Sequence, residues 1–348
     1  MPTPATPKRR VGVLLVNLGT PDSPRTPDVR RYLNEFLTDA RVIDMPAAVR
    51  YPLFQGLVVP LRAPKSAKIY QQLWDTERGS PLLYHGLDLQ RLVQEQLGPD
   101  YVVAFGMRYQ NPSIEKALEE LRDAAVDRII VLPLFPQYAA ASTGSVQEKV
   151  MEIVNKWWIV PSINFISTFT DDPGFIGTFV TLGKEEMAKR DYDHVLFSYH
   201  GIPERHVLKG SFKGYCQLGK CCNTYNKNNR YCYRAQCFET SRLLAKGLGL
   251  RDDQYTVAFQ SRLQSRLRDP WLQPYSDEVL KEFPKEGIKN VLAFSPAFVA
   301  DCLETTIEVG VEFKELFEEA GGEHWQLVPS LNSHPQWVEG VVNMIQQN

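Results

Sequence analysis

The sequence has no apolar run long enough to cross a bilayer. Its greasiest stretch, YPLFQGLVVPL at 51–61, is broken by Pro52, Gly56 and Pro60, whereas a spanning helix needs about 20 apolar residues. The stretch is left as an apolar lip for a membrane or a greasy substrate, or as a buried connection. No charge of one sign dominates: Lys and Arg number 39, Asp and Glu 41, for a formal net charge of −2, which gives nucleic acid no electrostatic hold. No Gly-x-Gly-x-x-Gly follows the first strand pattern and no Walker motif occurs, so a nicotinamide or nucleotide role loses its usual support. Cysteine is nearly absent outside one segment, with Cys302 standing alone. With no apolar leader, the expected setting is the reducing cytoplasm.

What remains is the composition of a soluble α/β protein. The 348 residues are 43% hydrophobic and 23% charged, enough chain for two domains. Short apolar runs at 11–17, 101–105, 128–132, 194–198, 255–259 and 290–294 predict strands, and longer periodic patterns such as 28–37, 114–122 and 276–283 predict helices. This alternation is that of βαβ units and a parallel sheet, and near-continuous apolar strands fit a sheet covered on both faces.

The chain is written twice. YVVAFGMRYQ at 101–110 reads against YTVAFQSRLQ at 255–264, VLPLF at 131–135 against FSPAF at 294–298, and VNLG at 16–19 against SYHG at 198–201. Three matches in one order predict two similar Rossmann-like domains facing a central cleft, with a boundary near 160–172. The expected division is 1–165, including the lip; 166–322, including a Cys-rich insert at 211–237; and a C-terminal strand and helix at 323–348 that pack back on the first domain. Ligands of such folds sit at the carboxyl ends of the strands.

Two features carry chemistry. His200 directly follows a predicted strand, in Phe-Ser-Tyr-His-Gly-Ile-Pro; its imidazole can take a proton near neutral pH or bind a borderline divalent metal. Its other reading is a structural histidine bonded to a loop. Acids then recur at Glu304, Glu308, Glu312, Glu315 and Glu319, one stripe of a helix over Leu303, Ile307, Val311 and Leu316. Like charges four residues apart repel by a few tenths of a kcal/mol. Such a row reads either as a wet face or as a path for a divalent cation such as Fe²⁺.

The remaining cysteines, Cys216, Cys221, Cys222, Cys232 and Cys237, crowd into the insert. Thiols so close form disulfides or share a metal, and zinc, an iron–sulfur group and uncommitted thiols stay open.

The motifs VNLGTPDSP (16–24), YLNEFLTD (32–39), GSPL (79–82), FPQY (135–138), STGS (142–145), FSYHGIP (197–203), FQSR (259–262), PWLQP (270–274) and DCLET (301–305) follow one another along nearly the whole chain. In this it resembles ferrochelatase. The resemblance implies insertion of Fe²⁺ into protoporphyrin IX to make haem, with His200 and Glu304 as the catalytic pair and Glu308 and Glu312 on the metal side. It implies that Leu18, Arg108, Tyr109, Ser142, Thr143, Trp271 and Phe298 line or border the porphyrin pocket. Arg62, Lys65 and Ser80 are candidate rim groups for the propionates. Where the family usually carries Gly-Asp-Pro-Tyr, this chain carries the cysteine run. Some ferrochelatases hold a [2Fe–2S] cluster; here Cys216, Cys232 and Cys237 would be ligands together with one of the adjacent Cys221 and Cys222. A second departure is Gln-Ser-Arg-Leu written twice, at 260–263 and 264–267. Further expectations are a monomer or homodimer and peripheral membrane contact through the lip. Rival readings are coproporphyrin as substrate, a non-enzymatic haem or iron sensor, and an oxidoreductase wired to an iron–sulfur centre.

Overall fold

The computed structural model describes residues 10–262 and 270–348; the second Gln-Ser-Arg-Leu lies outside them. The strands β1 (Val11–Gly19), β2 (Tyr101–Tyr109), β3 (Arg128–Pro133) and β4 (Ser162–Phe165) form one sheet, in the order β2-β1-β3-β4. A second sheet repeats that order as β6-β5-β7-β8, from β5 (His194–His200), β6 (Tyr255–Gln260), β7 (Asn290–Phe294) and β8 (His324–Leu327). Every neighbouring pair in both sheets is parallel. The two related orders are the structural form of the sequence repeat.

The strands are buried because helices cover both faces. The first half carries α1 (Thr26–Leu37), α2 (Ala47–Leu53), α3 (Val59–Leu73), α4 (Pro81–Leu97), α5 (Ile114–Asp123) and α6 (Ser145–Val154). Then come α7 (Pro173–Met187), α8 (Glu204–Lys209), α9 (Tyr233–Leu248), α10 (Ser276–Glu282), α11 (Phe313–Glu319) and α12 (Pro335–Gln346). One apolar cluster runs through both halves, joining Val13 and Phe105 of the first sheet to Phe197 and Phe294 of the second through Phe175 and Trp337. The β8 strand completes the second sheet, while α12 packs on α7 and reaches α4.

Two predicted segments differ in form. The 51–61 lip is helical: α2 passes through a π-turn at Phe54–Val58 into α3. Pro60 sits in the first turn of α3, directly after that π-turn, and has no N–H to give to the turn before it. Tyr51, Leu57 and Leu61 are exposed, while Val59 and Ala63 turn inward. The acidic helix opens as a π-helix, Leu303–Glu312, before α11 continues it. The wider turn shifts the apolar phase, so Thr305, Ile307 and Val309 are buried while Val311 lies on the surface at 41% exposure. Single π-turns inside helices recur at functional sites.

Candidate active site

Two glycines show how the strand ends shape the cleft. Gly19 closes β1 with φ +129°, and a Cβ there would stand 2.2 Å from the Tyr109 carbonyl oxygen at the end of β2. Gly201, at the equivalent place after β5, would put a Cβ 2.9 Å from the Gln260 carbonyl oxygen at the end of β6. In both halves only glycine lets the first strand's exit hug its neighbour. The Gly201 N–H donates to that Gln260 carbonyl at 2.8 Å.

This turn fixes His200. The imidazole is half-buried, and its Nδ1 lies 2.6 Å from the Gly201 carbonyl oxygen. A carbonyl accepts only, so Nδ1 carries a hydrogen and leaves Nε2 as the ring atom that faces other partners. The Tyr233 hydroxyl donates to the His200 carbonyl at 2.8 Å, and the Phe298 ring stands edge-on at 6.4 Å. Trp271 sits behind the same turn, on a strand-like bridge to Pro203.

The acids arrive from the π-helix and are held by the end of β6. Gln260 Nε2 donates to the Glu304 carbonyl at 3.2 Å and to Glu308 Oε2 at 3.0 Å. The Ser261 N–H donates to Glu308 Oε1 at 2.8 Å, and its hydroxyl bonds Oε2. Burial raises the proton affinity of Glu308 above the usual carboxylate range, against the lowering by the Ser261 bond and the His200 charge, with Glu304 adding to the rise. Glu308 is therefore an electrostatic neighbour of both His200 and Glu304. Further out, Glu312, Glu315 and Glu319 are exposed, so the acids form a gradient from cleft to solvent.

The cleft is narrow, a cavity of about 50 Å³ walled by Leu18, Tyr32, Tyr70, Ser80, Phe298 and Glu304 among others. A macrocycle can enter only if these walls part. Burial above all, then Tyr70 and the Glu304 carboxylate, holds the Tyr32 hydroxyl well above the usual phenol range. Burial and then Glu304 do the same for Tyr70. Both phenols stay neutral and able to donate beside the acid.

The other expected pocket residues lie apart from this cavity. Arg108 points at Asp39, with Nη2 at 2.6 Å from Oδ2, and its Nε bonds Ser145. The fully buried Tyr109 gives its hydroxyl to the same carboxylate at 2.9 Å. Ser142 and Thr143 lie in the π-turn Ala140–Gly144, and the Thr143 hydroxyl is buried without a bonding partner among the described residues. Ser80, at the N-cap position of α4 in the cavity wall, is buried and accepts from Thr20 Oγ1 at 2.8 Å. Arg62 and Lys65 are exposed on α3. Tyr32, Tyr70, Gln260 and Ser261 were not singled out from sequence, although Tyr32, Gln260 and Ser261 lie within quoted motifs.

The insert gathers its thiols. Cys216 and Cys222 Sγ each lie 4.0 Å from Cys221 Sγ, and the Cys222 and Cys232 thiols share a hydrogen bond. Burial, with Cys221 beside it, pushes the Cys216 thiol up to about 11. Cys237 is fully buried against the Tyr233 hydroxyl. None of the six cysteines is in a disulfide. Among the described residues, no three or more His, Cys, Asp or Glu side chains already form a metal-holding group. Even so, 4.0 Å is near the ~3.8 Å edge of a tetrahedron of thiolates at ~2.3 Å from a metal.

Comparison with known proteins matches this architecture. The Ferrochelatase family profile matches residues 10–348. A ferrochelatase of Legionella pneumophila (strain Lens) is 48% identical over 338 residues, covering 97% of this chain and 99% of that one. A ferrochelatase of Coxiella burnetii (strain CbuK_Q154) is 46% identical over 344 residues, covering 97% and 94%. The structure of SirB from Bacillus subtilis with Fe3+ superposes with a TM-score of 0.54 at 12% identity, covering 97% of this chain and 95% of that one, a likeness of fold. With a matching profile, close relatives and a paired-sheet fold whose strand ends bring His200 to the acids, the chain belongs to the ferrochelatase family.

Proposed function

We propose that this chain inserts Fe²⁺ into protoporphyrin IX, releasing two protons and yielding haem. The observation that carries the reading is the family match across residues 10–348, whose motifs supply the His200, Glu304 and Glu308 constellation. A free porphyrin must lose two pyrrole protons and present its lone pairs before the metal can seat. His200 Nε2 accepts one proton, since Nδ1 is committed to Gly201, and a cleft carboxylate receives the other. Glu312 and Glu308 pass Fe²⁺ inward to Glu304. Leu18 and Phe298 grip the ring, and binding energy spent on bending it lowers the barrier. Leu18, Arg108, Tyr109, Ser142, Thr143, Trp271 and Phe298 remain the proposed porphyrin contacts, reached as the walls part. The test is loss of porphyrin fluorescence on adding Fe²⁺, with turnover on coproporphyrin measured beside it. Preferred turnover of coproporphyrin would overturn the choice of substrate. Haem bound without any insertion would overturn the enzyme.

Cys216, Cys232, one of Cys221 and Cys222, and Cys237 are proposed to hold a [2Fe–2S] group, which supplies one-electron chemistry when bound. The donor set fits in being all thiol, with Arg234 beside Cys216, Cys222 and Cys237 partly offsetting the burial and neighbouring thiols that hold their protons. The purified protein should be reddish-brown with about two irons per chain beyond substrate. A colourless protein with a single zinc would contradict the assignment while leaving metal insertion intact.

The 323–348 segment is read as the tie between the two domains. The reading also sets the chain in the cytoplasm, resting on a membrane through Tyr51, Leu57 and Leu61. Among the described residues no helix is long and apolar enough to cross one.

A further inference from the structure

Between Glu204 and Glu239 the chain has no acidic residue but carries Arg205, Lys209, Lys213, Lys220, Lys227, Arg230 and Arg234. In a chain of net charge −2, this is a strong local reversal of sign, and it coincides with the cysteine insert. Three of the seven have work elsewhere. Arg205 and Lys209 pair with Asp44, and Arg234 acts on the thiols. The other four, Lys213, Lys220, Lys227 and Arg230, are exposed and make no ion pair with any described residue. Charge compensation of Cys216, Cys222, Cys232 and Cys237 does not account for them, since none ranks among the main influences on those thiols.

These cations frame a concavity. Lys213, Lys227 and Arg230 line a cavity of about 590 Å³ with Asn228, and Cys216 and Cys221 form part of its wall. Around it, Phe212 is 59% exposed and Tyr231 49%, apolar surface beside positive charge. Aromatic residues with arginine are what protein interfaces favour, and a field of one sign over a concavity steers an opposite charge into it.

We propose that the Cys-rich insert is the docking surface for an acidic protein, whose clustered carboxylates enter this cavity and lie over the thiols. A concave wall suits a protruding acidic segment better than a flat bilayer. The docking is independent of the metal-insertion reading, because it rests on the insert alone.

The test uses the whole purified protein and a fluorescent decaglutamate peptide, followed by anisotropy. The parent should bind the peptide at low salt and release it as salt rises. The combined Lys213→Glu, Lys227→Glu and Arg230→Glu variant should bind about tenfold or more weakly, with the Lys→Gln and Arg→Gln triple between the two. Lys116→Glu and Lys281→Glu, exposed on α5 and beyond the insert on α10, should leave binding unchanged. Melting curves check that each variant folds; the Gln triple keeps the test open if the Glu triple does not. Failure of the parent to bind, or binding by both triples as tight as the parent's, overturns the proposal. So does sedimentation with phosphatidylcholine–phosphatidylglycerol vesicles that depends on these residues while the peptide is ignored, since the surface would then be a lipid one.

Discussion

At the scale of single residues, the account turns on Glu308. Its carboxyl is half-buried and takes up protons more readily than an ordinary glutamate, chiefly because of burial. A raised folded value means that the folded state holds the proton more tightly than the unfolded chain. Glu308 therefore costs stability as pH rises from the ordinary carboxylate range through its own raised value, and that cost persists at neutral pH. Glu308→Gln relieves about 0.2–0.5 kcal/mol per like-charge pair but turns an amide NH2 towards the Gln260 donor, so the melting temperature at neutral pH should change little while its pH dependence flattens in that window. If the acids conduct Fe²⁺, the same variant raises the apparent KM for Fe²⁺. Glu312→Gln raises it less, and the exposed Glu319→Gln leaves it unchanged. Parallel Fe²⁺ titrations and melting curves check this; unchanged kinetics at Glu308 and Glu312 would return the row to a wet face. His200 and Glu304 were legible in sequence because a strand-end histidine and an acid row are local patterns. The Arg108–Asp39 pair was not, because it joins residues 69 positions apart that only the fold brings together.

At the scale of elements, all six predicted strands form, each within or at the start of its observed span. The strand missed, β4, is a four-residue edge that alternates polar and apolar side chains and carries too little pattern to stand out; β8, equally short, was expected only as an unplaced strand within 323–348. The π-helix over Glu304–Glu312 was illegible for a different reason. Its acids keep a four-residue spacing either way, and only the inward turn of Val309 in place of Val311 reveals the wider turn. The join between α9 and the histidine turn gives a sharper prediction. Tyr233, the first residue of α9, bonds the His200 carbonyl and touches Cys237, so it links the insert to the imidazole. Tyr233→Phe should cost about 1 kcal/mol of stability, lower turnover several-fold and alter its pH profile, because the turn that sets the Nδ1 hydrogen loosens. A pH–rate profile identical to the parent's would contradict the link.

At the scale of the molecule, the halves are stitched at more than one seam. Gln236 of α9 accepts the Tyr138 N–H at 2.5 Å, and Gln137 donates to Thr240 at 3.1 Å. Asp44, after α1, binds Arg205 Nη2 at 2.5 Å and also Lys209, both of α8, with His206 Nε2 at 3.3 Å. Burial pushes the Asp44 carboxyl up, but the bonds from Arg205, Lys209 and His206 outweigh it and hold it far below the usual range. A depressed folded value means that this stability is complete above the ordinary carboxylate range and is lost as pH falls towards the folded value. Asp44→Asn should therefore cost about 1 kcal/mol at neutral pH, after screening of the exposed Lys209, and nothing in strong acid. Melting curves across pH check it.

The most direct test of the central claim is anaerobic haem formation from protoporphyrin IX and Fe²⁺ by the parent, His200→Ala and Glu304→Gln, with porphyrin binding and melting curves measured alongside. The account predicts that both variants fold and bind porphyrin but form little or no haem, while the parent converts it. Haem formation by His200→Ala at the parent's rate would contradict it.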